Sequence, residues 1–319
     1  MIQVEHLTKC YGNFKAVDDL SFEIEDGHVF GFLGPNGAGK STTMNIMTGC
    51  LSATKGRVLI DGFDIFEDAK EAKKLIGYLP ELPPLYMNET PYEYLRFVGE
   101  AKGLKQPQLD DEIQRVLDKT KTADVQNRRI SKLSKGYRQR VGIAQALLGN
   151  PRVIILDEPT VGLDPMQIIE IRDLIKELGK EHTVILSSHI LSEVQTICEK
   201  ILIINKGRLI AFDSPDKLEE SMSSSGGIVF TSDGSQEKVT EILSGLDFVS
   251  SFKQAESEND YVKFNIETNC DNVYDASRKL FHAFAEANTA LLEVKLKKAN
   301  LEEIFIELTE ENEKEALKS

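Results

Sequence analysis

Nine consecutive residues, Gly34-Pro35-Asn36-Gly37-Ala38-Gly39-Lys40-Ser41-Thr42, restrict what this chain can fold into more than any other stretch. They fit the phosphate-loop pattern, two glycines enclosing four residues and followed by Lys and a hydroxyl residue. Ahead of them Val29-Phe30-Gly31-Phe32-Leu33 reads as a short buried strand. Behind them Thr42 to Gly49 has the length of a helix that stops at glycine. The chemistry explains the composition. Glycine admits the backbone angles that turn several N–H groups inward and lets the main chain approach a phosphate closely. The following helix points its free N–H groups and positive dipole end at the same place. Lys40 supplies a point charge for β- and γ-phosphates, and the Ser41 hydroxyl suits Mg²⁺.

The rest of the chain is long enough to build around such a loop. Its 319 residues suggest two domains, and 41% hydrophobic residues give material for a sizeable core. A formal net charge of −14 argues against a general nucleic-acid binder, which needs a basic face, and leaves a local phosphate site open. Cys10, Cys50, Cys198 and Cys270 are far apart in sequence, so they form no zinc spacing or CxxC motif and read as free thiols in a reducing cytosol. The opening residues, Met1-Ile2-Gln3-Val4-Glu5-His6, lack the charged and apolar regions of a signal peptide. No apolar run approaches the roughly 20 residues of a membrane helix. Work at a membrane would therefore require docking by a partner.

Taken in order, residues 1–33 read as strands and turns, with alternation over Ile2–Thr8 and Leu20–Ile24 and a turn at Gly12-Asn13. Tyr11 beside that turn is, by itself, one more exposed aromatic. A strand over Gly56–Gly62 and a polar helix from Glu67 to Lys74 lead to Ile76–Glu81. Pro83, Pro84 and Pro91 then exclude an interior helix or central strand, leaving an ordered loop with exposed Tyr86 and Met87. Residues 91–130 look helical, and Ser134 is a good N-cap for a helix over Gln139–Leu148. Val153-Ile154-Ile155-Leu156 is a strand covered on both faces. A helix over Met166–Gly179, a strand over Thr183–His189, a helix over Ile190–Cys198 and a hairpin turning at Asn205-Lys206-Gly207 follow. Linker composition marks residues 216–227. Beyond it the order is strand 228–232, helix 235–244, strands 247–254 and 260–267, helix 271–287 and strand 290–297. This βαββαβ order is ferredoxin-like, and a helix over 300–311 with a charged tail completes it.

Strands alternating with helices after a phosphate loop imply a mostly parallel sheet with its ligand at the strand C-terminal ends. Asp157 and Glu158 close the apolar strand. Alone, such acids also mark where a buried strand meets solvent. With the phosphate loop upstream, Asp157 suits the Mg²⁺-binding carboxylate of a nucleoside triphosphatase and Glu158 can polarise an attacking water. His189 alone reads as a structural residue at a strand end. In this company it can reach a γ-phosphate and orient water.

The full set resembles the nucleotide-binding subunit of an ABC transporter. Gly34–Thr42 is similar to that family's Walker A, Leu133-Ser134-Lys135-Gly136-Tyr137 to its LSGGQ motif, and Val153–Glu158 to Walker B with the following glutamate. Gly162-Leu163-Asp164 resembles the D-loop and Ser188-His189 the H-loop. The resemblance covers about residues 1–215. It implies a P-loop NTPase core of ABC type, α/β in class, with antiparallel β and helical subdomains (the latter over about 82–150), and a small α+β accessory domain over 228–319. It implies ATP as substrate with Mg²⁺, held by Tyr11 against adenine, by Gly34, Pro35, Asn36, Gly37, Ala38, Gly39, Lys40, Ser41 and Thr42 around the phosphates, and by Ser41, Asp157 and Glu81 around the metal. Glu158, His189 and Lys40 would be catalytic. A second subunit, identical or related, would cover the nucleotide with Ser134, Gly136 and Asp164.

Two departures stand out. Glu81 occupies a position where the family commonly has Gln. It still offers oxygen to Mg²⁺ but loses an amide donor. Lys135 and Tyr137 replace residues of LSGGQ, while Ser134 and Gly136 remain. Glu81, the Pro83–Pro91 loop and the appended domain look most like the ABC-2 exporter branch, as does Leu301-Glu302-Glu303-Ile304-Phe305. That branch implies an ATPase powering a separate polytopic permease that exports a drug, peptide, lipid or polysaccharide, from a cytoplasmic position on the inner face of the membrane. Tyr86, Met87, Tyr92 and Phe97 are the candidates for the groove that receives the permease. The alternative is a soluble ABC-type ATPase acting on ribosomes or DNA. Such proteins usually carry two cassettes or a coiled-coil insertion and basic surfaces.

Overall fold

Alternating apolar residues at the start of the chain form β1 (Ile2–Tyr11) and β2 (Phe14–Ile24), an antiparallel pair turning at Gly12, whose φ is 58°. A run buried at every position, β3 (Val29–Leu33), leads through the glycine-rich loop into α1 (Lys40–Met47). This helix opens at Lys40 rather than at Thr42, because Gly39 caps it with a φ of 103° that a residue with a Cβ would resist. Then come β4 (Lys55–Ile60), β5 (Phe63–Asp64), α2 (Ala69–Lys74) and β6 (Ile76–Leu79). The stretch expected to be helical over 91–130 divides into α3 (Pro91–Ala101) and α4 (Gln108–Lys119), followed by short 3-10 turns. Gly103, at φ 87°, and Pro107 lie in the break. Thr90 and Glu93 start α3 with a reciprocal capping box.

The chain continues through α5 (Lys135–Leu147), β7 (Val153–Leu156), α6 (Pro165–Gly179), β8 (Thr183–Ser188), α7 (Leu191–Ile197), β9 (Lys200–Asn205) and β10 (Arg208–Asp213). α5 begins directly after its Ser134 cap, earlier than the periodicity from Gln139 suggests. One sheet runs β2-β1-β4-β5 and is antiparallel. The other runs β10-β9-β3-β8-β7-β6, parallel throughout except for the β9–β10 hairpin at its edge. The two sheets share a core in which Ile2, Val4 and Phe22 meet Phe30, Phe32, Ile155 and Ile185, with Met44 and Met47 of α1. Tyr94, Ile130, Leu133 and Val141 form a separate core for the helical layer.

The computed structural model describes residues 1–222, 227–255, 261–270 and 272–297, and divides into two units, Met1–Ser214 and Pro215–Ser319. The second opens with α8 (Pro215–Met222), which occupies much of the expected 216–227 linker. Pro215 suits a first helical turn, and Leu218 is buried, so this part of the stretch has an anchor that its small and polar neighbours obscure. There follow β11 (Gly227–Ser232), α9 (Gln236–Ser244), β12 (Val249–Ala255), β13 (Val262–Thr268), α10 (Val273–Glu286) and β14 (Leu291–Lys297). The sheet order is β12-β13-β11-β14 with antiparallel pairing, the ferredoxin-like arrangement. Val239, Leu243, Leu280 and Phe284 from the helices pack on Ile228, Phe230, Phe264 and Ile266. The helix expected over 300–311, the segment 301–305 and the charged tail lie outside the described residues.

Phe230 is the centre of the second core, its ring 5.1 Å from Phe284 and 6.0 Å from Phe264. Truncating a buried Phe to Ala costs about 3–5 kcal/mol. Phe230→Ala is therefore expected to strip hydrogen-exchange protection from β13 and α10 while β3, β7 and β8 keep theirs.

Candidate functional site

The parallel strands end on one edge of the sheet, and each carries a polar group there. The loop after β3 holds Gly34–Gly39. β7 ends at Leu156 and is followed by Asp157 and Glu158, β8 by His189, and β6 by Pro80-Glu81. At this edge a cleft of about 390 Å³ is bounded by Tyr11, Phe14, Ala16, Pro35, Asn36, Gly37, Gly39, Lys40, Ser41, Thr42, Glu81, Glu158, Val161 and His189, while Gly34, Ala38 and Asp157 stand behind its lining. Ligand sites in open α/β sheets form at this edge because the loops there diverge to either face.

The glycine-rich loop is braced from behind. A Cβ on Gly39 would stand 2.4 Å from the Ala16 carbonyl oxygen, and one on Gly34 would stand 2.5 Å from that of Ile204. The Gly207 N–H, in the β9–β10 turn, donates to the Ala38 carbonyl at 2.9 Å, and the Asp18 N–H donates to Gly207. Gly37, at φ 81°, meets open space. The loop is thus fixed by contacts on its protein side and bare on its cleft side.

Lys40 is 6% exposed, and its Nζ donates to the Gly34 carbonyl at 2.6 Å and the Pro35 carbonyl at 3.3 Å. Burial holds this ammonium below the usual lysine range, against the opposing pull of the Glu158, Asp157 and Glu81 carboxylates. The Glu158 carboxylate lies 3.9 Å away. A buried cation with neutral carbonyls as its nearest partners is suited to an anion entering the cleft.

The acids are held just as firmly. The Ser187 hydroxyl donates to Asp157 Oδ1 at 2.6 Å and accepts the Glu158 N–H at 2.8 Å, so one side chain of β8 holds the Asp157 carboxylate and the Glu158 backbone just beyond β7. The Ser41 hydroxyl reaches Asp157 Oδ1 at 3.4 Å. Glu158 has a φ of 49°, an uncommon angle for a residue with a Cβ and one associated with functional sites. Its Oε2 pairs with His189 Nδ1 at 3.0 Å. Among the described residues no three His, Cys, Asp or Glu side chains form a metal cage. The donor set nonetheless fits Mg²⁺, which takes hard oxygen ligands such as Ser41 and Asp157 and draws the rest from substrate phosphates and water.

Tyr11 is half exposed at the cleft mouth, with Lys9 Nζ 5.3 Å from its ring centre. Phe14 is opposite Tyr11 on the β1–β2 ladder and also lines the cleft. Sequence reasoning missed Phe14, Ala16, Val161 and Ser187. The Gly12-Asn13 turn was the available signal for Phe14, since a tight hairpin makes its flanking residues neighbours. Ser134, Gly136 and Asp164 do not line this cleft. They lie near one another instead. Ser134 caps α5 by accepting the Tyr137 N–H at 3.3 Å, Asp164 caps α6 by accepting the Gln167 N–H at 2.9 Å, and a Cβ on Gly136 would touch the Gln167 side chain at 2.7 Å. Elsewhere, Tyr86 and Phe97 form an exposed ring pair 5.2 Å apart, with exposed Met87 nearby in sequence. Tyr92 turns its hydroxyl to Asp110 at 2.8 Å.

Comparison with known proteins agrees with this geometry. The family model described as ABC transporter matches residues 17–161. The chain is 41% identical over 212 residues to the bacitracin transport ATP-binding protein BcrA of Bacillus licheniformis, covering 66% of this chain and 68% of that one. It is 31% identical over 314 residues to the linearmycin resistance ATP-binding protein LnrL of Bacillus subtilis, covering 97% and 98%. The ATP-binding cassette MJ0796, solved as a dimer in a post-hydrolysis state bound to ADP and Pi, superimposes with a TM-score of 0.61 at 26% identity, over 67% of this chain and 98% of that one.

The two loop glycines give a graded test. Gly39→Ala combines an unfavourable φ with a backbone collision. Strain of about 1–3 kcal/mol corresponds to a fall in ATP affinity of roughly 5- to 150-fold, measured by calorimetry. Gly37→Ala, which meets no atom, is expected to lose less.

Proposed function

The chain belongs to the ATP-binding proteins of ABC transporters, and from that membership we propose how its residues share the work and what they drive. It is an ATPase subunit that powers a transporter. We assign the nucleotide-binding domain to residues 1–215, with a helical subdomain over about 82–150, and an accessory domain to 228–319. The observation that carries the assignment is the convergence of Lys40, Ser41, Asp157, Glu158 and His189 on one sheet edge, where Ser41 reaches Asp157 and Glu158 pairs with both His189 and Lys40.

In this reading the backbone N–H groups of Gly37 to Thr42 and the Lys40 ammonium hold the β- and γ-phosphates. Ser41 and Asp157 would hold Mg²⁺, with Glu81 at its rim, and the ion's contribution when bound is neutralisation of phosphate charge. Glu158 accepts a proton from the water that attacks the γ-phosphorus as the bond to the leaving ADP oxygen breaks. His189, bonded through Nδ1 to Glu158, orients that water and the γ-phosphate. Tyr11 and Phe14 offer an aromatic platform for adenine.

Ser134, Gly136 and Asp164 do not line their own cleft and serve a second subunit's nucleotide in a head-to-tail dimer, identical or related. The dimeric state of the MJ0796 cassette supports this. The exposed Tyr86–Phe97 pair with Met87 is the docking surface for the permease. Among the described residues no helix is long and apolar enough to cross a membrane. The likeness to ATP-binding subunits of transporters supports a permease on a separate chain and a cytoplasmic, peripheral position at the inner face. Resemblance to a bacitracin transport protein and, over nearly the whole chain, to a linearmycin resistance protein supports export of an antibiotic-like peptide, drug, lipid or polysaccharide.

Glu158→Gln keeps the shape of the side chain and removes the base. It is expected to bind ATP, lower turnover by about 10²–10⁴-fold and elute as an ATP-dependent dimer on size exclusion. Undiminished turnover would remove Glu158 from its role. Co-purification with a polytopic membrane protein supports the transport assignment, whereas co-sedimentation with ribosomes or DNA would point to the soluble alternative.

A further inference from the structure

A buried carboxylate outside the roles above joins the two loops that carry Glu158 and His189. Glu193, on α7, is 4% exposed. Its Oε2 accepts the Thr160 hydroxyl at 2.6 Å and lies 3.4 Å from the Ser188 hydroxyl. Thr160 follows Glu158 in the loop after β7, and Ser188 ends β8 immediately before His189. The other carboxylate oxygen, Oε1, faces Arg172 Nη2 of α6 at 3.4 Å. Thr160 and Ser188 are themselves buried.

Burying a carboxylate costs several kcal/mol unless charge and hydrogen bonds compensate it. Here the compensation comes from three places that the chain would otherwise leave to independent loops. Arg172 Nε is buried without a partner, so the guanidinium acts as a charge counterweight and not as a two-pronged clamp. The directional bond is that of Thr160, and the Ser188 hydroxyl adds a longer contact to the same oxygen, shared with the Ile190 carbonyl at 3.4 Å.

We propose that Glu193 is a positioning residue for hydrolysis, tying the Glu158 loop to the His189 loop and so setting the 3.0 Å contact between those two side chains. The proposal rests on the roles given above to Glu158 and His189. Glu193 does not line the cleft. It acts by removing the freedom of one loop relative to the other, and misplacement by about 1 Å can cost on the order of 10²-fold in rate.

The test uses ATP turnover by the full chain. Glu193→Ala is expected to lower kcat about 10- to 100-fold while KM for ATP stays within about twofold. Glu193→Gln, which still accepts the Thr160 hydroxyl, is expected to recover part of that loss. Thr160→Val, isosteric and lacking the hydroxyl, is expected to move kcat in the same direction. In a His189→Ala background Glu193→Ala should add little, since its effect passes through the pair already broken. Wild-type kcat in Thr160→Val, a rise in KM alone, or an undiminished Glu193→Ala effect in the His189→Ala background would overturn the proposal. Thr160→Val decides the matter if Glu193→Ala fails to fold. Normal turnover in Glu158→Gln would instead sink the parent assignment, so the two failures are distinguishable.

Discussion

The parallel register of β3, β8, β7 and β6 is the constraint on which the site depends. Phe30 pairs with Ile185, Ile185 with Ile155, and Ile155 with Tyr78, so the four strands stop almost in line. Because all four run the same way, the residue after each strand emerges on the same edge. A slip of one residue in such a sheet turns every side chain to the other face. Both faces of β3, β7 and β8 are buried, so the slip is opposed by the close packing of differently shaped side chains on the two faces. The core therefore specifies the site indirectly. It sets where the strands end, and the ends set where charge is placed.

Onto that edge the protein loads a buried cation and a set of carboxylates that do not fully satisfy one another. Lys40 rests on backbone carbonyls, with Glu158 only at 3.9 Å. Asp157 is taken up by Ser187 and Ser41, and Glu158 by His189. The pairs are close enough to be held and loose enough to accept a highly charged ligand. Each polar side chain has a supporting contact from a different element, so the geometry does not rely on a single loop. Glu193 extends this scheme one layer deeper, since its bonds reach both loops at once.

Much of this was legible in the residues. The glycine pattern with its flanking strand and helix, the apolar run before Asp157, and the polar end of β8 each carry a local signature. So does the βαββαβ order of the second unit, where alternation and capping residues mark nearly every element. What was hidden is non-local. Ser187 looks like any polar residue closing a strand until β8 lies beside β7. Glu193 lies within the helix expected over Ile190–Cys198, and nothing in its sequence neighbourhood announces Arg172 or Thr160. α8 reads as linker because Ser and Gly follow it, and the buried Leu218 lies among polar neighbours that give little periodicity. The early start of α1 depends on a left-handed glycine cap, which periodicity does not register.

The central claim is that the cleft is half a site and that a second subunit supplies Ser134 and Gly136. Complementation tests it directly. Lys40→Met removes the cation from one copy's cleft, and Ser134→Arg blocks the covering surface of another. Each variant alone should be inactive. Mixed, they can form a dimer in which one cleft keeps Lys40 and is covered by an intact Ser134, so ATPase activity should reappear and depend on the mixing ratio. No recovery at any ratio, with mixed dimers shown to form, would contradict the account.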